Sequence, residues 1–424
     1  LIRKKALYWM VFLFVFVAMN LCNCRLTSNE TVTLPESSSN QKSDNNKTDL
    51  GDEKSLLTTT GHWKILFADN EMLSPNTKIN FLLGKVENGK VELIEKRSWD
   101  KMEKAFLEYD NHTPSNNSLT LSISSDGQFL AYYGKDGLVI FDRGAGTKTV
   151  LEKTTVDKSA SSKHHTYIRN ICWSSDNRYV LLQYITNEAT AVFLYDLKQN
   201  KKLSPSGNGF LSGSQMIWAP DKNIFLDPSS DGAYGDPGLY QSDSNNLKKY
   251  SDISASFGLH SRLFFKAAYH PDGNIVALIT NGEPIENQID ISHNRCVSLL
   301  NLHTKQVINI DQGTLIDSLF FSPDGNRLYY FIRDESSTQQ TWIMSYDLTL
   351  QNTCIEGYFQ SDKIDIREAK WIDAHSALLE VVHWNEDHSF KQTQIIGLDF
   401  SQKNLLYCSQ PYPFEIKLLA VDTY

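Results

Sequence analysis

One phrase recurs along this chain and limits what it can become. It consists of an apolar strand, a small residue or proline, an aspartate, a Gly or Asn, and a second apolar strand. It reads Ile123-Ser124-Ser125-Asp126-Gly127-Gln128-Phe129-Leu130 and then Trp173-Ser174-Ser175-Asp176-Asn177-Arg178-Tyr179-Val180. Trp218-Ala219-Pro220-Asp221-Lys222-Asn223 and Tyr269-His270-Pro271-Asp272-Gly273-Asn274 follow, Phe321-Ser322-Pro323-Asp324-Gly325-Asn326 is the cleanest copy, and Trp371-Ile372-Asp373 opens a degraded one. The aspartates fall at 126, 176, 221, 272, 324 and 373, so the period is near 50. Proline and aspartate set up a tight turn, and Gly or Asn accepts the positive φ that such a turn demands. A second phrase closes several repeats: Leu194-Tyr195-Asp196-Leu197, Leu299-Leu300-Asn301-Leu302 and Ser345-Tyr346-Asp347-Leu348. It reads as a third strand running into the turn before a fourth.

Four strands repeated every 50 residues or so describe the blade of a β-propeller. The expected class is therefore all-β, with about seven four-stranded blades. Residues 64–67, 79–85 and 91–95 are strand-like but lack the repeat phrase, and residues 414–421 supply one more strand. That last strand is expected to complete the first sheet, giving six full blades and one shared blade, and closure would protect edges that invite aggregation. One short helix is expected at 99–109, where Met102, Phe106 and Tyr109 fall at helical spacing. The Ser-Pro-Asp-Gly turn and the Asp-Leu strand end resemble the TolB-type, WD-like propeller repeat over residues of about 118–410. This resemblance implies the fold and says little about function, because the repeat serves many unrelated tasks.

Three segments follow from composition. Residues 1–24 carry Arg3, Lys4 and Lys5 ahead of an apolar run from Ala6 to Cys22, the pattern of a signal peptide or membrane anchor. Leu21-Cys22-Asn23-Cys24 resembles a bacterial lipobox, with Cys24 as the lipidation candidate, although Asn23 stands where a small residue is usual. An uncleaved helix over 6–22 is the alternative. Residues 25–60, rich in Ser, Asn, Asp and Lys, are expected to form a disordered linker, and 61–424 the propeller. The expected place is thus outside the cell membrane and anchored to it.

A formal charge of −9 and the lack of a basic cluster beyond the N-terminus argue against nucleic acid. The chain contains no G-x-S-x-G, so the hydrolase domain of the prolyl oligopeptidase group is not expected. Cys172, Cys296, Cys354 and Cys408 have no C-x-x-C spacing, which excludes a zinc ribbon. A Cys354–Cys408 bridge is open, with two buried free thiols the better reading. His164-His165 sit in a long connection without a third ligand, and His383 and His388 flank a hairpin tip carrying Glu386 and Asp387. Solvated loops explain both better than metal binding does. The loop 227–238, with Asp227, Asp231 and Asp236 and three glycines, is the most ligand-like, yet it misses the EF-hand spacing. Tyr132-Tyr133 and Tyr329-Tyr330 lie inside strands and read as core.

No catalytic residue, metal or cofactor is expected from these patterns. The expected function is a non-enzymatic binding or assembly module at the cell envelope, for a protein, peptide or glycan. Its surface would comprise the connections 154–167, 227–238, 251–263 and 281–295. An envelope lyase or glycosidase with a site assembled in the funnel is the alternative, since residues converging from different blades leave no mark in sequence spacing.

Overall fold

A computed structural model of the chain describes residues 63–70, 79–87 and 90–98. It also describes residues 121–422, apart from short gaps and the connections 153–166, 186–189, 204–215, 230–237, 245–250, 283–293 and 335–339. All of these residues belong to one unit, Leu50–Tyr424. The signal region, Cys24, the linker, the helix expected at 99–109, His164-His165 and His388 lie outside the described residues. Among the described residues no helix is long and apolar enough to cross a membrane.

Among the described residues the strands form seven four-stranded antiparallel sheets. Six use consecutive strands, and in the seventh Glu415–Asp422 pairs with Trp63–Asn70, which continues into Ile79–Glu87 and Lys90–Ser98. The pairing expected between the C-terminal strand and the first sheet is present, one residue beyond the expected start. Glu415–Asp422 also packs on the strands Leu121–Ile123 and Ile364–Trp371, the first strands of the sheets on either side of it. Its Leu418 is buried and donates its backbone N–H to Glu380 Oε2 at 2.9 Å.

The repeat phrase is the turn from the first to the second strand of a sheet. In three copies a serine hydroxyl donates to the aspartate Oδ1 at 2.6 Å, as Ser124 to Asp126, Ser174 to Asp176 and Ser322 to Asp324. The same Oδ1 accepts the backbone N–H two residues further on. The left-handed position falls on Gly127, Asn177, Gly273 and Gly325, with φ between 56° and 74°. Where the serine is replaced by His270, its Nδ1 accepts the N–H of Asp272.

The Asp-Leu phrase has its own geometry. Asp196, Asn301 and Asp347 each accept backbone N–H bonds two or three residues ahead. Four residues after each, Asn200, Lys305 and Gln351 take a positive φ of 48°, 61° and 53°. A bend is therefore held by a carboxylate or amide cap without any glycine.

Neighbouring sheets pack face to face through shared apolar clusters. Ala131 and Ile140 meet Ile171 and Trp173, and further along Tyr329 and Phe331 meet Ile364 and Leu379. Second strands such as Ile275–Asn281 are buried on both faces, which is why they read as unbroken apolar runs. Outer strands such as Asn352–Phe359 are exposed over their first half. This explains one correction. Cys354 is a free thiol but an exposed one, because it lies on an outer strand with no sheet beyond it. Cys296 is buried, and burial pushes the Cys172 thiol up to about 12. The side chain of Cys408 lies outside the described residues.

Candidate functional site

The first strands of successive sheets lie against one another, Phe264–Tyr269 on Leu315–Phe321 and that strand on Ile364–Trp371. Each breaks its register in mid-strand, at Phe265, Ser318 and Arg367 respectively. A bulge re-aims side chains, and bulges concentrate where a sheet edge meets a ligand or an active site. Ser318 takes a positive φ of 54° there.

At and beside these bulges polar side chains meet across the stacked first strands. Lys266 Nζ donates to Ser318 Oγ at 3.1 Å, and Ser318 donates in turn to the carbonyl of Ile366 in the next sheet. The Arg333 guanidinium binds Asp317 of its own sheet and Asp365 of the next. Arg295 Nη1 reaches from the preceding sheet to Asp317 Oδ1 at 3.2 Å and to the carbonyl of Ile316 at 2.9 Å. The Trp384 indole N–H donates to Asp365 Oδ2 at 2.8 Å. One network thus joins three consecutive sheets.

Register places the network at one end of the sheets. Asp317 and Asp365 lie near the starts of first strands, Arg333 near the end of a second strand, and Arg295 at the start of a third. That is the end where blade-to-blade connections and second-to-third strand loops emerge. Burial pushes the Asp317 carboxyl upward, but Arg333, Lys266 and Arg295 together outweigh it and hold the group below the usual range. Burial keeps the Lys266 ammonium below the usual lysine range despite the attraction of Asp317, Asp365 and Glu368. A small open cleft of about 70 Å³ lies beside it, lined by Lys266, Ser318, Phe320, Arg367 and Glu368.

Two of the loops singled out by sequence are corrected. Asp227 to Ser229 belong to the strand Ile224–Ser229, and Asp227 is fully buried. It cannot join a solvent-facing cation loop, and residues 230–237 lie outside the described residues. The segment 251–263 folds onto its own sheet. Ser251–Asp252 forms an edge strand, Ser254–Phe257 forms a 3-10 turn, and Leu259 enters the core. Ser254 is held by Asp252 Oδ1 and bonds the Leu239 N–H, so the polar residues here serve the turn.

His383 sits in the strand Ser376–Trp384, where burial lowers its pKa and its Nε2 has no partner. Glu386 and Asp387 are exposed, and Asp387 stabilises the hairpin through the Ser389 N–H. Tyr132, Tyr329 and Tyr330 are buried, as expected of core residues. Sequence reading passed over Lys266, Asp317, Arg333 and Asp365. One signal was available: Asn170, Lys266, Ser318 and Arg367 are polar residues set six before four of the six repeat aspartates, inside strands.

No protein-family model and no curated protein sequence matches the chain. Solved structures do. A candidate 6-phosphogluconolactonase from Bacteroides fragilis is 14% identical with a TM-score of 0.50, over 86% of this chain and 99% of that one. An oligogalacturonate lyase from Vibrio parahaemolyticus is 10% identical with a TM-score of 0.46, over 77% and 92%. TolB from Acinetobacter baumannii is 15% identical with a TM-score of 0.41, over 71% of this chain and 65% of TolB. At these identities the likeness is one of fold, an all-β propeller architecture of four-stranded sheets.

Proposed function

We propose that this chain is a seven-bladed propeller closed by its C-terminal strand, acting as a binding or assembly module at the cell envelope. The Asp317–Arg333–Asp365 bridge carries this reading. Both carboxylates are already bound by arginines or an indole N–H, so they are fixed as parts of a rigid, patterned surface. A general acid and base need carboxyls whose protons are exchangeable near working pH, whereas Asp317 is held in its ionised form. Preorganised mixed charge at the mouth of a ring suits recognition of a partner. The positive start and apolar run at the N-terminus support attachment to the membrane, through lipid on Cys24 or through the run itself.

The enzyme alternative has His383 in its favour, a half-buried imidazole whose pKa burial holds below the usual histidine range. Crosslinking the full chain in its native envelope tests the two readings. A partner captured by the wild type, lost with Arg367→Glu and kept with Lys202→Glu on an outer strand, supports the binding module. Cleavage of an envelope glycan by the wild type, abolished by His383→Ala, would replace it.

A further inference from the structure

Lys266 has no counter-ion of its own. Its Nζ donates to the neutral hydroxyl of Ser318 at 3.1 Å, and none of the described carboxylates forms an ion pair with it. The carboxylates that attract it from further away are engaged by other groups. Asp317 is held by Arg295 and Arg333, Asp365 by Arg333 and Trp384, and Glu368 lies 3.4 Å from Lys370. Ser318 gives its own proton to the Ile366 carbonyl, so toward Lys266 it only accepts. A neutral amine meets that need with one N–H and keeps its lone pair. Burial, with Arg295 adding repulsion, favours this neutral form against the pull of Asp317, Asp365 and Glu368. Lys266 also lines the cleft of about 70 Å³, whose other walls include Ala267, Leu319, Phe320 and Ala369. Those walls suit a short hydrocarbon stem, whereas sites for drug-sized molecules run to several hundred Å³.

We propose that Lys266 is a carbonyl-reactive amine and that the cleft beside it takes a short aliphatic aldehyde, held reversibly as an imine. This goes beyond the binding reading above and does not depend on it. The nitrogen lone pair attacks the carbonyl carbon, a C–N bond forms, and a proton passes from nitrogen to oxygen. The resulting carbinolamine loses its hydroxyl as water and a C=N bond remains, with nothing oxidised or reduced. A desolvated lysine is suited to this step, because only the unprotonated amine is a nucleophile. An aldehyde fits the small cleft better than an acyl donor does. Its one by-product is water, whereas an acyl donor also needs room for its leaving group.

Reductive labelling of the full chain in detergent at pH 7 tests this, with propanal and cyanoborohydride as probes and peptide mapping by mass spectrometry as the readout. Lys266 is expected to label at least about tenfold faster than the exposed Lys148 and Lys305. It should lose that lead in urea, where its burial is gone. Diphenylacetaldehyde, too bulky for the cleft, should show no preference for Lys266. Ala369→Leu adds bulk to the cleft wall and should slow propanal labelling of Lys266 about tenfold, with Lys305 unchanged. The comparison of aldehydes needs no variant, which covers the case in which Ala369→Leu fails to fold. Labelling of Lys266 no faster than Lys305 overturns the proposal. A lead that survives in urea, an equal lead with the bulky aldehyde, or an unchanged rate in folded Ala369→Leu overturns it as well.

Discussion

The indole N–H of Trp371 donates to the backbone carbonyl of Phe321, 2.7 Å away in the preceding sheet. Trp173 makes the same bond to Ser122 at 3.1 Å, so the last residue of a first strand pins one sheet to the one before it. Tyr269 occupies the same place in its repeat, but its hydroxyl is buried without a partner. Opposite outcomes are expected. Trp371→Phe should cost about 1–3 kcal/mol, from the lost bond and the smaller ring. Tyr269→Phe should be neutral or stabilising, since it removes a buried unsatisfied group. Urea unfolding of the two variants decides this.

Gly325 and Gly258 separate backbone strain from crowding. Both take a left-handed φ, 74° and 68°. A Cβ at Gly258 meets nothing, whereas one at Gly325 would lie 2.2 Å from His270 Nε2 of the preceding sheet. His270 is held there by the Gly325 carbonyl at 2.9 Å and by Asp272. Gly258→Ala should cost about 1–2 kcal/mol from strain alone. Gly325→Ala should cost clearly more, and adding His270→Ser should recover the excess in a double-mutant cycle.

Acid should weaken the ring through Asp317. Its folded pKa lies below the unfolded value of about 3.9, because Arg333, Lys266 and Arg295 overcome the effect of burial. The stabilisation is present above the unfolded pKa and is lost as pH falls through the folded one. Thermal midpoints measured from pH 7 down to about 3 should fall for the wild type and fall less for Asp317→Asn, which starts lower at pH 7.

Closure by the C-terminal strand should be felt across the whole unit. Deleting 415–424 uncovers the edge of Trp63–Asn70 and removes a neighbour of Ile364–Trp371. A single cooperative transition at a much lower temperature is expected. Glu380→Ala leaves the buried Leu418 N–H without its acceptor and should cost about 1.5–3 kcal/mol. An unchanged midpoint in the truncated chain would show that the sheet holds without its C-terminal strand.

Attachment to the membrane has its own test at Cys24. Cys24→Ser should abolish fatty-acid labelling and signal removal where Cys24 carries the lipid, and should change nothing where 6–22 stays as a spanning helix. Recovery of wild-type protein wholly in the soluble fraction, beginning after residue 24, would refute both forms of anchoring.

Much of the fold was legible in the chain because the repeat is local. Ser322, Asp324, Gly325 and Arg327 close their turn with bonds spanning at most five residues, so the phrase carries its own geometry. Apolar runs such as Ile275–Asn281 signal burial on both faces, and the unclaimed strand at the C-terminus pointed to its partner at 63–70. The turns after the third strands were legible from the Asp-Leu phrase, but the positive φ at Asn200, Lys305 and Gln351 was not, because a carboxylate or amide cap there does the work usually assigned to glycine.

The candidate site was decided by tertiary structure. Lys266, Arg295, Asp317, Arg333 and Asp365 come from three sheets and lie up to 99 positions apart, with no common spacing. Only the stacking of sheets brings them together, and the mid-strand bulges fall at Ser318 and Arg367, two residues that line the cleft. Local turn chemistry determines that such a chain folds into repeated four-stranded sheets. Coulombic and hydrogen-bond energies fall off over a few ångströms, so which charges meet depends on distances that the order of residues alone does not set.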